Sequence, residues 1–350
     1  MMKNVNRKII NHSILFIIFM LLFRPVLQAQ TVSKVGTTAG AFLKIGVGAR
    51  CLAMGEAMAT QATDITAMYW NPAGLSRISG MQILLNHYDY IADMNFDYGA
   101  LAIPMQQLGT FGIHFSILSM SDIERTTILE PEGTGEMVAA SFYSIGAGYA
   151  RALTDRFSIG GNLKYVSENL WHTHSGGIAM DVGVLYRSLF KNIRIGMSIS
   201  NFGSEMQLSG RDLLVQHDID EQSNGNNANI NANMSTDEFS LPIHFRVGIS
   251  ANLTKDFLNI NNNDLVIAVD AVHPNDNKEY LNIGGEYVFR DLISARAGYR
   301  QLFLEDHEGG ITYGFGLKLK ILANQFYMDY AVVDLGRLDY LNKISLILSF

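Results

Sequence analysis

The sequence contains a single cysteine, Cys51, and no long apolar run beyond its first 29 residues. One cysteine cannot form an intrachain disulfide, and a membrane-spanning helix needs about 20 apolar residues. Charged residues make up only 17% of the chain. No HExxH, P-loop or nucleophile-elbow motif is present. The sequence therefore predicts no membrane-spanning helix after the N-terminal region, no catalytic site, no metal site and no cofactor.

Residues 1–29 have the three parts of a secretory signal peptide. Basic residues precede an apolar run at 14–23, and the Leu-Gln-Ala at 27–29 fits a cleavage site. The apolar run is too short to span a bilayer, so we do not expect a membrane anchor. Removing these residues moves the formal charge from -7 to about -11. A chain this acidic argues against nucleic acid as a partner.

Most of the remaining sequence alternates apolar and polar residues with a period of two. In 311–321 the odd positions are Ile, Tyr, Phe, Leu, Leu and Ile, and the even positions are Thr, Gly, Gly, Lys and Lys. Successive side chains of a strand point to opposite faces, so each segment has one apolar face. About fourteen such segments of roughly 8–12 residues suit tilted crossings of a bilayer in a closed antiparallel barrel. They are 81–90, 94–105, 109–120, 143–149, 157–165, 178–186, 193–199, 243–253, 265–271, 281–289, 293–299, 311–321, 326–332 and 343–350.

The polar faces of these segments carry charges of both signs. Inside a soluble sandwich an unpaired charge is costly, whereas a wet lumen tolerates it, so we expect the apolar faces to meet lipid. The charged residues predicted to face the lumen are Lys164, Asp181, Arg194, Arg246, Asp270, Glu286, Arg296, Arg300 and Lys318. We expect pairs across strands, such as Arg194 with Asp181 and Arg296 with Glu286, and hence a narrow or closed lumen. For any one of these residues, stabilising the wall is a sufficient role.

Connection lengths also fit an outer-membrane barrel, which has short periplasmic turns and longer outer loops. After even strands the connections are short (106–108, 154–156, 189–192, 291 and 323–325, with 254–263 longer), and after odd strands most are long (121–137, 168–175, 201–241, 302–309 and 335–342). The sequence therefore predicts an all-β fold, a transmembrane antiparallel β-barrel of about 14 strands. A soluble β-sandwich or propeller is the alternative.

The last predicted strand ends on an aromatic residue. Ile344, Leu346, Leu348 and Phe350 share one face of 343–350. We interpret these four residues as the C-terminal signal for barrel assembly. This interpretation implies the barrel-assembly machinery and outer-membrane lipid as partners.

Residues 30–80 precede the first predicted strand and are rich in small residues. Small residues let backbones pack closely, and the Asn-Pro pair at 71–72 marks a turn. A fourteen-stranded barrel leaves a lumen that such a segment can fill. We therefore predict an N-terminal plug at 30–80 and the barrel at 81–350, with a periplasmic tail as the alternative to the plug.

Two runs of this segment, 48–57 (GARCLAMGEA) and 62–75 (ATDITAMYWNPAGL), resemble the N-terminal signature of the PorV/PorQ family. That family belongs to the FadL-like group of fourteen-stranded outer-membrane barrels. The resemblance departs at Ile65 and Glu56, where relatives often have an acid and a small residue. The plug motif that it implies comprises Gly48, Arg50, Met54, Gly55, Asp64, Trp70, Asn71, Pro72, Ala73 and Gly74.

The resemblance implies a non-enzymatic protein in the outer membrane of a Gram-negative, Bacteroidota-like bacterium. PorV proteins act in type IX secretion, and FadL proteins move hydrophobic molecules through the barrel. The favoured interpretation is a type IX secretion component or relative that binds secreted cargo or translocon partners. One alternative is a FadL-like channel, with a hydrophobic ligand beside Met68, Trp70 and Leu75, although these three side chains could equally anchor the plug. A structural barrel without transport is a third interpretation.

Three outer loops carry weaker signals. His172 and His174 would share one strand face and could bind a metal, but a solvated pair is the expected state. The acidic run at 305–308 is likewise expected to be solvated. The Asn-rich tract within 201–241 has too little apolar surface to fold alone, so it either orders on a partner or is disordered.

Overall fold

A computed structural model describes residues 34–218, 229–258, 260, 263–305, 307 and 309–350. The predicted signal peptide and the centre of the Asn-rich tract lie outside the described residues. No helix in the described part of the chain is long and apolar enough to cross a membrane.

Fourteen long strands follow one another along the chain from residue 82 onward. They are β1 (Gln82–Asp89), β2 (Met94–Pro104), β3 (Thr110–Met120), β4 (Ala140–Ala152), β5 (Phe157–Leu170), β6 (Thr173–Arg187), β7 (Arg194–Gly203), β8 (His244–Asn252), β9 (Asn263–Pro274), β10 (Tyr280–Phe289), β11 (Ile293–Leu302), β12 (Ile311–Ile321), β13 (Asn324–Asp334) and β14 (Tyr340–Ser349). Each overlaps one of the fourteen predicted segments.

The strands form one closed antiparallel sheet, in which each strand pairs with the next along the chain. The last strand, β14, pairs with β1, with Leu85 opposite Leu346 and Asn86 opposite Ser345. Closure leaves no unpaired edge, which a barrel in lipid requires. The structure confirms the predicted all-β, fourteen-stranded antiparallel barrel.

The two faces of the barrel wall differ as the period-two pattern predicts. On the outer face of β12, Ile311, Tyr313 and Phe315 are 56%, 50% and 60% exposed. Thr312, on the opposite face, is fully buried. A belt of exposed apolar side chains is the outer surface expected in a bilayer, and the buried polar residues face inward.

Residues 35–80 form short helical turns that pack against the inner face of the wall. The two α-helices are α1 (Ala49–Ala53) and α2 (Ala67–Trp70), and the 3-10 turns are Ala41–Lys44 and Pro72–Arg77. Further 3-10 turns are Ile91–Asp93, Gln106–Leu108, Arg211–Leu213 and Gly336–Leu338, and Leu253–Leu258 forms a π-helical turn. The side chains of both α-helices are mostly buried.

Two features of the connections differ from the predictions. The predicted loop at 168–175 is wrong, because β5 and β6 extend until only Trp171 and His172 connect them. The predicted loop at 335–342 is shorter, because β14 already begins at Tyr340. The long loops also contain short strand pairs of their own: 123–124 with 137–138, 206–207 with 238–239, and 214–217 with 230–233. The connections at 121–139 and 204–243 are still the longest. We call the end of the barrel that carries them the long-loop end, and the opposite end the short-turn end.

Candidate functional site

The N-terminal segment is held by hydrogen bonds from its backbone to side chains of the wall. The Ala49 N–H donates to Ser345 Oγ at 3.0 Å, and the Gly55 N–H donates to Thr312 Oγ1 at 3.0 Å. The Ala59 N–H donates to the Asp270 carboxylate at 2.7 Å. The Gly55 N–H also donates to the Leu52 carbonyl at 3.0 Å within its own turn. The wall supplies further acceptors for the buried backbone of the segment.

Glycines of the wall let the segment approach closely. A Cβ at Gly160 would lie 2.5 Å from the Pro72 carbonyl, and one at Gly196 would lie 2.1 Å from the Ala59 carbonyl oxygen. Within the segment, a Cβ at Gly74 would lie 1.7 Å from the Ala62 carbonyl oxygen. No side chain fits at such distances, so the contact between segment and wall is largely backbone to backbone.

Arg50 connects helix α1 to the wall through a bidentate ion pair. Its Nε and Nη2 donate to the two oxygens of Glu286 at 3.0 and 2.9 Å, and its Nη1 donates to Asp64 at 3.1 Å. Arg296 donates to the same Glu286 at 2.7 Å and to Asp329 at 2.6 Å, so the predicted Arg296–Glu286 pair is present. The bidentate geometry fixes both position and orientation of α1.

A second buried network lies on β5 to β7. Lys164 donates to both oxygens of Asp181 at 2.8 and 2.9 Å, and the Asn201 N–H donates to the same carboxylate at 2.7 Å. The predicted pair of Arg194 with Asp181 is therefore wrong. The sheet register places Arg194 opposite Arg187, near the short-turn end. Asp181 comes six residues before Arg187 in β6, closer to the long-loop end.

The Trp-Asn-Pro-Ala-Gly run of the plug motif makes specific contacts with the rest of the segment and with the wall. Trp70 Nε1 donates to the Val47 carbonyl at 2.9 Å. Asn71 Nδ2 donates to the Ala59 carbonyl at 2.6 Å and to that of Val184 at 3.1 Å. Asn71 Oδ1 also accepts from the Ala73 N–H at 3.1 Å, which caps the turn that Pro72 begins. The motif therefore ties the two halves of the segment to each other and to β6.

The remaining motif residues shape the turns around α1. Gly48 and Gly55, at its two ends, have φ angles of 83° and 62°, in the left-handed region that glycine adopts readily. Met54 between them is fully buried. Asp64 accepts from the Thr66 N–H at 2.9 Å as well as from Arg50, so it orders the turn before α2.

Other predicted lumen residues lie nearer the two mouths of the barrel. Arg300 pairs with Glu56 at 3.1 Å, which gives a structural role to one departure from the family signature. Lys318 pairs with Asp291 at 2.7 Å at the short-turn end. Arg246 stacks over the Trp70 ring at 5.1 Å from its centroid.

Cavities lie beside the segment at both ends of the barrel, and charged side chains line the two described next. One, of about 340 Å³, lies toward the short-turn end beside Arg50, Asp64 and Arg77. The other, of about 370 Å³, lies toward the long-loop end beside Glu56, Arg246 and other charged residues. Met68, Trp70 and Leu75 are buried and line neither cavity. All three belong to the buried hydrophobic cluster.

The two histidines at the β5–β6 turn, His172 and His174, contact different partners. His172 Nδ1 lies 3.1 Å from Asp212, and Arg211 donates to its Nε2 at 2.7 Å. His174 is the second residue of β6 and lies near Ser209. No group of three or more His, Cys, Asp or Glu residues suited to a metal ion occurs among the described residues.

The C-terminal strand closes the barrel. Ile344 and Phe350 are about half exposed on the outer face, and Leu346 and Leu348 lie on the same face. The Phe350 N–H donates to the Met81 carbonyl at 2.9 Å, which extends the β1–β14 ladder by one bond. The role of these four residues in assembly stays a prediction.

A family model described as type IX secretion system protein PorV matches residues 28–259 of this sequence, more than half of the chain. The chain belongs to the PorV family. This finding confirms the resemblance seen in the N-terminal signature, and it agrees with the fourteen-stranded outer-membrane barrel. A comparison with curated proteins finds no match.

Solved structures similar to this PorV-family chain are FadL-like barrels of fourteen strands. The toluene transporter TbuX of Ralstonia pickettii has a TM-score of 0.53 and 13% identity, with 87% of this chain and 97% of TbuX covered. The toluene transporter TodX of Pseudomonas putida has a TM-score of 0.54 and 13% identity, with the same coverage. The CymD monoaromatic hydrocarbon channel has a TM-score of 0.52 and 15% identity, with 87% of this chain and 98% of CymD covered. At these identities the likeness shows the fold alone.

Several residues that hold the segment were not singled out in the sequence. Thr312 was predicted only as a polar-face position, and neither Ser345 nor Asn162 was predicted as a site residue. Asn162 Nδ2 donates to the Met68 carbonyl at 3.5 Å. The period-two pattern could place all three on the inner face. No sequence signal identifies which polar residue meets a buried N–H, because that depends on how the segment folds in three dimensions.

Proposed function

We propose that this PorV-family barrel is a non-enzymatic component of a type IX secretion system that binds secreted cargo or a translocon partner through its long loops. The family match supports the secretion role. The observation that carries the binding role is an apolar tip on the loop between β3 and β4, where Ile128 is 100% and Leu129 is 92% exposed. Adjacent exposed apolar side chains on an ordered loop are typical of a protein interaction site.

This loop is ordered by its own contacts, which prepares the tip for binding. A short strand pair joins residues 123–124 to 137–138, and Arg125 pairs with Glu136 at 2.8 Å. Arg125 also lies over the Trp171 ring, 5.4 Å from its centroid, and its carbonyl accepts from Thr134 Oγ1 at 2.9 Å. A preorganised loop loses less conformational entropy on binding than a flexible one.

The interior of the barrel supports binding at the rim rather than passage of hydrophobic molecules through the lumen. In our proposal the N-terminal segment acts as a plug, held by the backbone hydrogen bonds and ion pairs described above. A FadL-like uptake channel would need a continuous apolar path, and charged side chains line the two cavities described above.

The test is a pull-down of the tagged protein from detergent-solubilised outer membranes, with quantitative mass spectrometry. The wild type is compared with the double variant I128S/L129S and with the control L322S, whose side chain is 92% exposed at the short-turn end. We expect a type IX translocon barrel, or secreted proteins with the type IX C-terminal signal, to co-purify with wild type and control. The double variant should retain several-fold less.

Two results would contradict the proposal. Recovery of the same partners by the double variant would show that the loop tip is not the contact. A monomer that carries a hydrophobic ligand and no protein partner would instead favour uptake through the lumen.

A further inference from the structure

The cavity at the long-loop end, which we call the upper cavity, has a polar lining and unbalanced charge. It holds about 370 Å³ between the N-terminal segment and the walls formed by β8 to β11 and β14. Four of its charged side chains cancel in pairs: Lys44 with Asp276 at 2.6 Å, and Arg300 with Glu56 at 3.1 Å. Two further cations, Arg246 and Lys343, line the same cavity.

Arg246 is only 4% exposed, and its hydrogen-bond partners are neutral. Its Nη1 donates to Ser200 Oγ at 3.3 Å, its Nη2 donates to His244 Nδ1 at 3.1 Å, and its guanidinium lies over Trp70. Its Nε is buried and has no partner in the described structure. An arginine in a protein is always protonated, so this side chain is a permanent buried charge with an unused donor.

Lys343 is the second cation without a carboxylate partner. It is 3% exposed, and its Nζ lies 4.0 Å from the centroid of the Tyr88 ring. In the described part of the chain neither Lys343 nor Arg246 forms an ion pair. The other charged side chains that line this cavity all do. A cation–π contact offsets only part of the cost of burying an ammonium group.

We propose that the upper cavity binds a compact oxyanion, a phosphate or carboxylate group, between Arg246 and Lys343. An anion would neutralise the charge of Arg246 and stabilise the protonated form of Lys343. The cavity also presents neutral hydrogen-bonding groups, including the side chains of Tyr280, Asn277 and Gln301. This lining suits a small polar ligand, and the volume is at the lower end of the range for small-molecule sites. The inference does not depend on the secretion role.

The two tryptophans of the chain give a direct readout, because one of them, Trp70, contacts Arg246. The full-length protein with Trp171→Phe has Trp70 as its only tryptophan. This protein is titrated in detergent with sodium phosphate or with citrate, at constant ionic strength kept with sodium chloride. Trp70 fluorescence and the thermal unfolding midpoint are recorded together.

We expect a saturable fluorescence change and a rise of the unfolding midpoint with at least one of the two anions. Saturation by phosphate alone or by citrate alone assigns the preferred chemistry. Arg246→Gln is expected to weaken binding at least about tenfold, because a charge-assisted hydrogen bond and a charge are lost. Lys343→Gln should also weaken binding, and it leaves the Arg246–Trp70 contact in place.

The matched control is Arg290→Gln, which removes an exposed cation beside Phe289 at the short-turn end. It should leave the affinity unchanged. Heat-modifiable migration in detergent gels verifies that each variant is folded. The proposal is overturned if neither anion gives a saturable response in the wild type. It is equally overturned if folded Arg246→Gln and Lys343→Gln both bind with wild-type affinity.

Discussion

Loss of the Glu286 charge is expected to loosen the N-terminal segment without opening the barrel. In the closed state Glu286 accepts two hydrogen bonds from Arg50 of the segment and one from Arg296 of the wall. When the segment leaves, only the Arg50 contacts are broken, because Arg296 stays beside Glu286 on the neighbouring strand. The substitution Glu286→Gln therefore affects release of the segment mainly through Arg50.

The magnitude follows from the Arg50–Glu286 contact alone. Hydrogen bonds to charged groups contribute about 1.5–3 kcal/mol. Arg50 keeps Asp64 in the variant, at 3.1 Å, so we expect a loss of about 2 kcal/mol in the free energy of segment opening. Since about 1.36 kcal/mol corresponds to a factor of ten, the open population should rise about 30-fold.

Cys51 reports this opening, because it is the only cysteine, lies next to Arg50 in α1 and is fully buried. Burial raises the pKa of its thiol well above the ordinary value, which further suppresses the reactive thiolate in the closed state. Labelling by a maleimide-polyethylene glycol reagent should thus require opening, and its rate should follow the open population. We expect labelling of Glu286→Gln to be about 30-fold faster than that of the wild type.

The control is Asp329→Asn, which removes a buried carboxylate that hydrogen-bonds Arg296 but no residue of the segment. Its labelling rate should stay within about threefold of the wild type. If Glu286→Gln also stays within that range, the ion pair does not hold the segment. Equal acceleration by both variants would instead indicate a general weakening of the wall.

Three further changes test the contacts of the segment and the C-terminus. Gly160→Ala should lower the unfolding midpoint and speed Cys51 labelling, since the added methyl meets the Pro72 backbone, whereas Gly161→Ala, with 3.5 Å of clearance, should not. Asn71→Ala should destabilise the protein by about 1–3 kcal/mol in denaturant titrations, because two carbonyls and one N–H lose their partner. Phe350→Ala should lower the yield of heat-modifiable barrel in outer membranes several-fold while leaving synthesis unchanged on immunoblots.

The barrel could be predicted from the sequence because lipid imposes a simple rule. Each strand needs an apolar outer face, and the period of two reveals that face directly, as in β12. The ends of the strands were less predictable. β5 and β6 continue past the membrane, where no apolar face is required, so Glu168 and Ser175 read as loop residues although they pair across the two strands.

For the inner face, the sequence predicts which residues face the lumen, but it does not predict which residues they contact. Which charges meet depends on the register of each strand pair, and the register is set by turn geometry. Arg296 and Glu286 lie directly opposite each other and were paired correctly, while Arg194 lies opposite Arg187 instead of Asp181. That Arg246 forms no ion pair could not be predicted from the sequence either, because it depends on how the surrounding side chains are placed in space.

The anchoring of the N-terminal segment has a consequence for the order of folding. Its acceptors lie late in the chain, with 211 residues between Ala59 and Asp270 and 296 between Ala49 and Ser345. Contacts so distant in sequence form slowly, since a long loop must close first. The part of the barrel that leaves the ribosome first therefore acquires its native surroundings last, when β14 joins β1. Until then its buried apolar residues need protection from aggregation.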